Sequence, residues 1–293
     1  MPRRIKLIVE YDGTDFKGFQ VQNADEPGGD VVRTDHPPMQ AGDAPSRLRR
    51  RRTDASVRTV QGELEWALKA ISGQPIRLAG ASRTDAGVHA RGQTVSFLLP
   101  DEVTIPIAEL CAALNANLDD DVAAVHAEEV ELNFHPQRDA SGKIYTYSLF
   151  TRRERSALLR RTHWHVRFPL QTEPMRAAAK QLVGVHDFTS FATKLKDTQA
   201  KRAEDGKVAL ETVREIKRID VDEDPSVPGR IVITVEGSGF LYQMVRTIAG
   251  SLVDVGRGYR SVEWLGEALA AKDRRKAGPT APPHGLCLER VIY

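Results

Sequence analysis

The chain has 293 residues, 41% of them hydrophobic, enough for one large core or two modest ones, which excludes a small scaffold stapled by cross-links. Its 42 lysines and arginines nearly balance 40 aspartates and glutamates, so at +2 a polyanionic partner must be met by local clusters rather than by the whole surface. Cys111 and Cys287 stand far apart, which excludes a disulfide framework or a Cys-x-x-Cys site and suits a reducing compartment, so a cytoplasmic protein is expected.

Ile5 to Tyr11 reads as a first strand, ended by the turn residues Asp12-Gly13-Thr14. Only four residues precede it, so no signal peptide is expected, and no apolar run approaches the roughly 20 residues of a membrane span. Asn23 to Ser56 breaks the pattern: few large apolar residues, acids first (Asp25, Glu26, Asp30, Asp35, Asp43), then Arg47 and Arg49 to Arg52. It cannot bury enough surface to offset its chain entropy, so it reads as a mobile insertion, either a solvated tether or a phosphate-contacting arm.

From Thr59, a plausible N-cap, the residues Val60, Leu64, Ala67, Leu68 and Ile71 recur at helical spacing until Ser72-Gly73. A strand near Ile76 to Ala79 enters the polar loop Ser82 to Ala90, and a second, Gln93 to Leu98, leaves it. A helix is marked by Ile107, Leu110, Cys111 and Leu114; Val122 to Leu132 and Lys143 to Phe150 read as extended. A helix over Thr172 to Val183, with Gly184 as left-handed cap, leads to strands at Val213 to Val221 and Ile231 to Glu236. A long helix carrying Leu241, Met244, Val245, Ile248, Leu252 and Val255, a shorter one over Val262 to Ala271, and a strand from Leu286 to Tyr293 complete an α+β pattern in two related halves.

The loop Ser82 to Ala90 is the richest in chemistry. Arg83, His89 and Arg91 surround Asp85 with positive potential, and Gly87 gives the backbone freedom. Taken alone, such an aspartate reads as a turn brace, bonding nearby backbone, before it reads as a reacting group. Asp119 to Asp121 point in different directions without a His or Glu partner at helical spacing, so they read as a solvated turn rather than a metal site. No Walker A run, strand-linked Gly-x-Gly-x-x-Gly or Gly-x-Ser-x-Gly elbow is present, so neither a nucleotide cofactor nor a serine hydrolase is expected. Tyr145 and Tyr147 share one strand face, free either to line a sheet or to offer a flat surface to a nucleobase. Arg246 lies roughly 140° from the centre of its helix's apolar stripe, where an ordinary residue faces solvent.

In order, YDGTDFKGFQ (Tyr11 to Gln20), RTVQGELEWAL (Arg58 to Leu68), SRTDAGVHARGQ (Ser82 to Gln93), KIYTY (Lys143 to Tyr147), GVHDFTSF (Gly184 to Phe191), GFLYQMVRTIAGSL (Gly239 to Leu252) and APPHGLCL (Ala281 to Leu288) resemble the TruA family of tRNA pseudouridine synthases. The family's pattern often has Gly at the position of Ser82 and Trp at that of Phe19. The insertion has no counterpart in those blocks.

The resemblance implies a pseudouridine synthase fold with two related halves, 1–135 and 136–293, and a mostly antiparallel sheet flanked by helices around a central cleft. It implies isomerisation of uridine in the tRNA anticodon stem-loop, without metal or cofactor, by a homodimer. Asp85 is then the catalytic carboxylate, Arg246 its ion-pair partner and Tyr145 the group that stacks on the uracil or moves its proton. Arg83, His89, Arg58 and Gln61 join Tyr145 as expected substrate contacts. Arg3, Arg4 and Lys6, Arg152, Arg153 and Arg155, and Arg160, Arg161 and Arg167 are candidate phosphate contacts. A tRNA-binding chaperone of the same fold, lacking turnover, is the alternative.

Overall fold

Alternation shapes the first element: Ile5, Leu7, Val9 and Tyr11 are buried along strand β1 (Arg3–Tyr11), with less buried residues between them. The computed structural model describes residues 1–21 and 58–293, so the insertion expected over Asn23 to Ser56 lies outside the described residues. Helix α1 (Val60–Ser72) begins at Thr59, whose hydroxyl accepts from the Gly62 N–H, and ends at Gly73 in the left-handed conformation, φ +74°. Strands β2 (Leu78–Gly80) and β3 (His89–Leu99), helix α2 (Ile107–Asn115) and strand β4 (Val122–Val130) follow. Next come β5 (Gly142–Phe150), β6 (Trp164–His165), α3 (Thr172–Ala179), β7 (Gly184–Asp187) and α4 (Leu195–Glu204). The chain closes with β8 (Val213–Glu223), β9 (Arg230–Gly237), α5 (Met244–Gly256), α6 (Trp264–Ala270) and β10 (Leu286–Ile292).

The strands form one sheet in the order β4-β1-β3-β10-β5-β9-β8-β7, with β2 added to β3 and β6 to β5. Pairings are antiparallel except β10 with β3 and β5 with β6. The last strand thus lies between β3 and β5 and is hydrogen-bonded to both. Its register aligns Ala90 with Leu288, Leu288 with Tyr145 and Tyr145 with Val235, bringing the exit of the Asp85 loop to within two strands of Tyr145. Helix α2 packs on β4 and α1, α3 packs on β8 and α5, and α5 reaches β5. The α+β class with a mostly antiparallel sheet agrees with the sequence.

Several boundaries differ from expectation. Strand β3 begins at His89, not Gln93, because β10 pairs with it there, so His89, expected in the loop, stands on the strand, as does Arg91. The α3 helix stops at Ala179 and tightens into a 3-10 turn over Lys180–Leu182. Gly184, at φ +114°, therefore opens edge strand β7 instead of capping the helix. Leu241 precedes α5. Helix α4 was not foreseen: its sequence, LKDTQAKRAE, has no apolar stripe, and the Gln199 side chain bonds both the N–H and the carbonyl of Leu210, each at 2.8 Å.

Candidate active site

The segment joining β2 to β3 is tied down residue by residue. The Ala81 N–H donates to the Thr94 carbonyl at 2.8 Å, and Lys143 Nζ donates to the Ala81 carbonyl at 2.8 Å. Gln93, fully buried, acts as a surrogate strand: its Oε1 accepts from the Ser82 N–H at 3.2 Å and its Nε2 donates to the Ser82 carbonyl at 2.7 Å. The Thr84 hydroxyl lies 2.7 Å from the Tyr11 phenol, and the Thr84 carbonyl accepts from the Phe19 N–H at 3.1 Å. Gly18, at φ +105°, allows that approach, since a Cβ there would stand 2.9 Å from the Thr84 carbonyl oxygen. The Asp85 backbone carbonyl closes the turn by accepting from the Val88 N–H at 3.1 Å.

Helix α5 supplies the counter-charge. Almost every residue from Met244 to Gly256 is buried, so the helix has no broad solvent face, and the solvent-facing place expected for Arg246 is corrected: its side chain is 11% exposed. The backbone N–H of Ala281 donates to the Arg246 carbonyl at 3.1 Å, while Arg246 Nε donates to the Ala281 carbonyl at 2.8 Å. This two-way clamp aims Nη1, which donates to Asp85 Oδ2 at 2.8 Å; the carboxylate side chain is 17% exposed. A charge-assisted bond between two largely desolvated groups is stronger and better oriented than a surface pair. The clamp depends on Gly250, where a Cβ would lie 1.9 Å from the Pro279 carbonyl oxygen.

Lys143, Tyr145 and Tyr147 alternate onto one face of β5. The Tyr145 hydroxyl is 2.8 Å from Ser82 Oγ, and its ring meets Phe240 edge-on at 5.3 Å and 90°. Burial pushes this phenol up to about 12, against the Ser82 hydrogen bond and with help from the Asp85 charge, so it is neutral at physiological pH. Asp85, Arg246 and Tyr145, far apart in sequence, are thereby gathered around one loop.

The expected substrate contacts divide. Arg83 is exposed and has no hydrogen bond or ion pair among the described residues, leaving its guanidinium open to a ligand. His89 is instead a brace: Nδ1 accepts from the Gly13 N–H at 3.1 Å, and Nε2 donates toward the carbonyls of Arg161 at 2.8 Å and His284 at 3.2 Å. Arg58 is engaged with Glu63, Asp119 and Asp121 and covers the Phe16 ring at 4.3 Å, so two of the three acids expected to form a solvated turn pair with a cation, while Asp120 is exposed. Gln61 accepts from the Val21 N–H at 3.1 Å and donates to Glu65 at 2.8 Å. These three polar side chains are committed within the chain.

The basic clusters divide likewise. Arg3 binds Glu129 and the carbonyls of Val103 and Ile105, Arg4 the Leu132 carbonyl, and Lys6 Glu128. Arg152 stacks on Phe150 at 4.8 Å, and Arg161 stands 3.7 Å from Asp12. Arg153, Arg155 and Arg167 have no hydrogen bond or ion pair among the described residues.

A family model described as tRNA pseudouridine synthase matches residues 42–137 and 178–293. A tRNA pseudouridine synthase A of Myxococcus xanthus is 41% identical over 293 residues, covering 100% of this chain and 92% of its own. Proteins of the same name from Brevibacillus brevis and Thermotoga neapolitana are each 38% identical over 291 residues, covering 99% of this chain and 100% of theirs. The chain belongs to the tRNA pseudouridine synthase family. It is an isomerase that converts uridine in tRNA to pseudouridine.

In this synthase the residues that hold the site outnumber those the sequence singled out. Ala281 clamps Arg246, the Pro282 carbonyl accepts from Tyr147 at 2.8 Å, the His284 carbonyl faces His89, and Gly285 leaves room for the Tyr147 ring, 2.6 Å from where its Cβ would be. The APPHGLCL block is therefore a collar that joins α5 to the Asp85 loop. Only the block resemblance signalled it; Gln93 and Lys143 gave no signal as braces.

Proposed function

We propose that the synthase modifies uridines of the tRNA anticodon arm, with Asp85 as its catalytic carboxylate, Arg246 orienting that carboxylate and Tyr145 serving the target uracil. The observation that carries this reading is the 2.8 Å ion pair between Asp85 and Arg246, in a loop also bonded to Tyr145. The reaction breaks the C1′–N1 bond of uridine, turns the uracil and forms a C1′–C5 bond. C5 then gives up its proton and N1 gains one, with no net uptake of water or electrons. One carboxylate suffices, either adding to the nucleoside or removing a ribose proton to release a glycal-like intermediate. Hydrolysis, by contrast, uses a second carboxylate to activate water. The neutral phenol of Tyr145 suits stacking and hydrogen bonding; stacking of this kind is worth about 1–3 kcal/mol per base, comparable with the cost of extracting a base.

Phosphate contacts make that exchange favourable overall. A depression of about 320 Å³ is lined by Arg155, Arg160, Arg167, His163, Trp164 and His284, and the His284 carbonyl joins it to His89 behind the Asp85 loop. Burial, with Arg230 and His284 adding, pushes the His163 imidazole down to about 4, so the arginines carry the positive potential there. Asp85 lines neither this depression nor its larger neighbour of about 510 Å³, so both fit the flanking RNA backbone rather than the reacting base. The enzyme acts as a cytoplasmic homodimer that cradles tRNA and selects it by shape and flexibility more than by base sequence. Unmodified tRNA incubated with the enzyme and mapped for pseudouridine by chemical adduct and primer extension tests the site preference. New stops in the anticodon arm are expected; stops elsewhere only would refute it.

A further inference from the structure

Tyr145 is 6% exposed, and a phenol so buried needs a partner for its hydroxyl. Among the described residues that partner is Ser82 Oγ, at 2.8 Å. Ser82 has little freedom: Gln93 bonds both its N–H and its carbonyl, and the preceding residue is held by Thr94 through its N–H and by Lys143 through its carbonyl. Lys143 and Tyr145, two apart on β5, thus grip consecutive residues of the loop, one by a backbone carbonyl and the other by a side-chain hydroxyl. The loop residue that carries the hydroxyl stands three before Asp85.

We propose that Ser82 is a positioning residue, fixing the Tyr145 phenol against the uracil through its Oγ and coupling the phenol to the loop that carries Asp85. Gln93 bonds only the Ser82 backbone, so a residue without a hydroxyl at this position would keep both of those bonds and lose the coupling. Phe240 restrains the ring from one edge, and Ser82 restrains its polar end. Without Ser82, the phenol hydroxyl is left buried and unpaired or turns to find another partner, and in either case the ring departs from the geometry the uracil meets. Ser82 reaches the reaction only through Tyr145. The inference rests on the roles given above to Tyr145 and Asp85.

The test is a cycle of Ser82→Ala, Tyr145→Phe and the double variant, with Ser82→Thr as the variant that retains the hydroxyl. Single-turnover pseudouridine formation is measured on saturating, unmodified tRNA, with KM and melting temperature taken in parallel. Ser82→Ala should lower the rate about tenfold, the size of one lost hydrogen bond to a reacting group, with little change in KM. Ser82→Thr should recover most of that rate, and Ser82→Ala should add nothing once Tyr145→Phe is present. A parent-like rate in Ser82→Ala, no recovery in Ser82→Thr, or a full additional loss in the double variant would each overturn the proposal. If Tyr145→Phe leaves no measurable turnover, the comparison of Ser82→Ala with Ser82→Thr decides. A parent enzyme that forms no pseudouridine would instead overturn the underlying function, which keeps the two failures distinct.

Discussion

Replacing Arg246 by methionine keeps the length of the side chain and removes its charge. The parent guanidinium makes two bonds of 2.8 Å, one to the Ala281 carbonyl and one to Asp85 Oδ2. A hydrogen bond to a charged group contributes about 1.5–3 kcal/mol, and stripping one partner from a fully buried pair costs about 3–5 kcal/mol. Asp85 retains some contact with water, so a loss of about 2–3 kcal/mol in the oriented carboxylate is expected, or roughly 30- to 150-fold in rate at about 1.4 kcal/mol per tenfold. Arg246→Lys restores the charge but cannot reach both partners with one ammonium, so its rate should fall between the two. Release of tritium from tRNA labelled at uracil C5, followed under single-turnover conditions, measures the step directly because pseudouridine formation must break that C–H bond. Thermal melting separates lost stability from lost chemistry. If Arg246→Met, still folded and binding tRNA, released tritium at the parent rate, the ion pair would have no part in catalysis.

Asp187 accepts from the Thr189 hydroxyl at 2.7 Å and lies 3.3 Å from Lys272. Burial alone would raise this carboxyl, but bonds from Thr189, Thr212 and Lys272 bring it down to about 2 from 3.8. A carboxylate lowered on folding stabilises above its unfolded value and loses that contribution as pH falls through its folded value. Asp187→Asn should therefore cost about 1 kcal/mol at pH 7, after allowance for solvent screening, and progressively less between pH 4 and pH 2 by denaturant titration. Gly250→Ala drives a Cβ to within 1.9 Å of the Pro279 carbonyl oxygen, so it should melt several degrees lower and lose activity through the displaced Ala281 clamp; a parent-like melt would contradict the tight approach. Changing Arg155, Arg160 and Arg167 together to glutamine should weaken tRNA binding and reduce the slope of log K against log salt by about 2, if each meets one single-stranded phosphate. An unchanged slope would exclude that depression from the RNA path.

Much of this fold is legible where a local rule and the tertiary context agree. The alternation of Ile5, Leu7, Val9 and Tyr11 gives β1, and Thr59 and Gly73 bracket α1 as cap chemistry requires. Arg246 defeats the helical wheel because α5 is buried on nearly all sides, so distance from the apolar stripe no longer means solvent. The parallel pairing of β10 with β3 joins residues nearly 200 apart in the chain, and no local pattern encodes it. It is also what moves the start of β3 back to His89. The loop of Asp85 stands out by its residue types, but its bracing by Gln93, Lys143 and Tyr11 depends on side chains that, in sequence, look like ordinary strand residues.

The most direct measurement is on Asp85→Asn, which preserves shape and removes the charge that Arg246 faces. With tRNA fully bound, tritium release from uracil C5 should fall to the uncatalysed level while affinity for tRNA stays within a few-fold of the parent. Release at the parent rate would contradict the assignment of the reaction to this carboxylate.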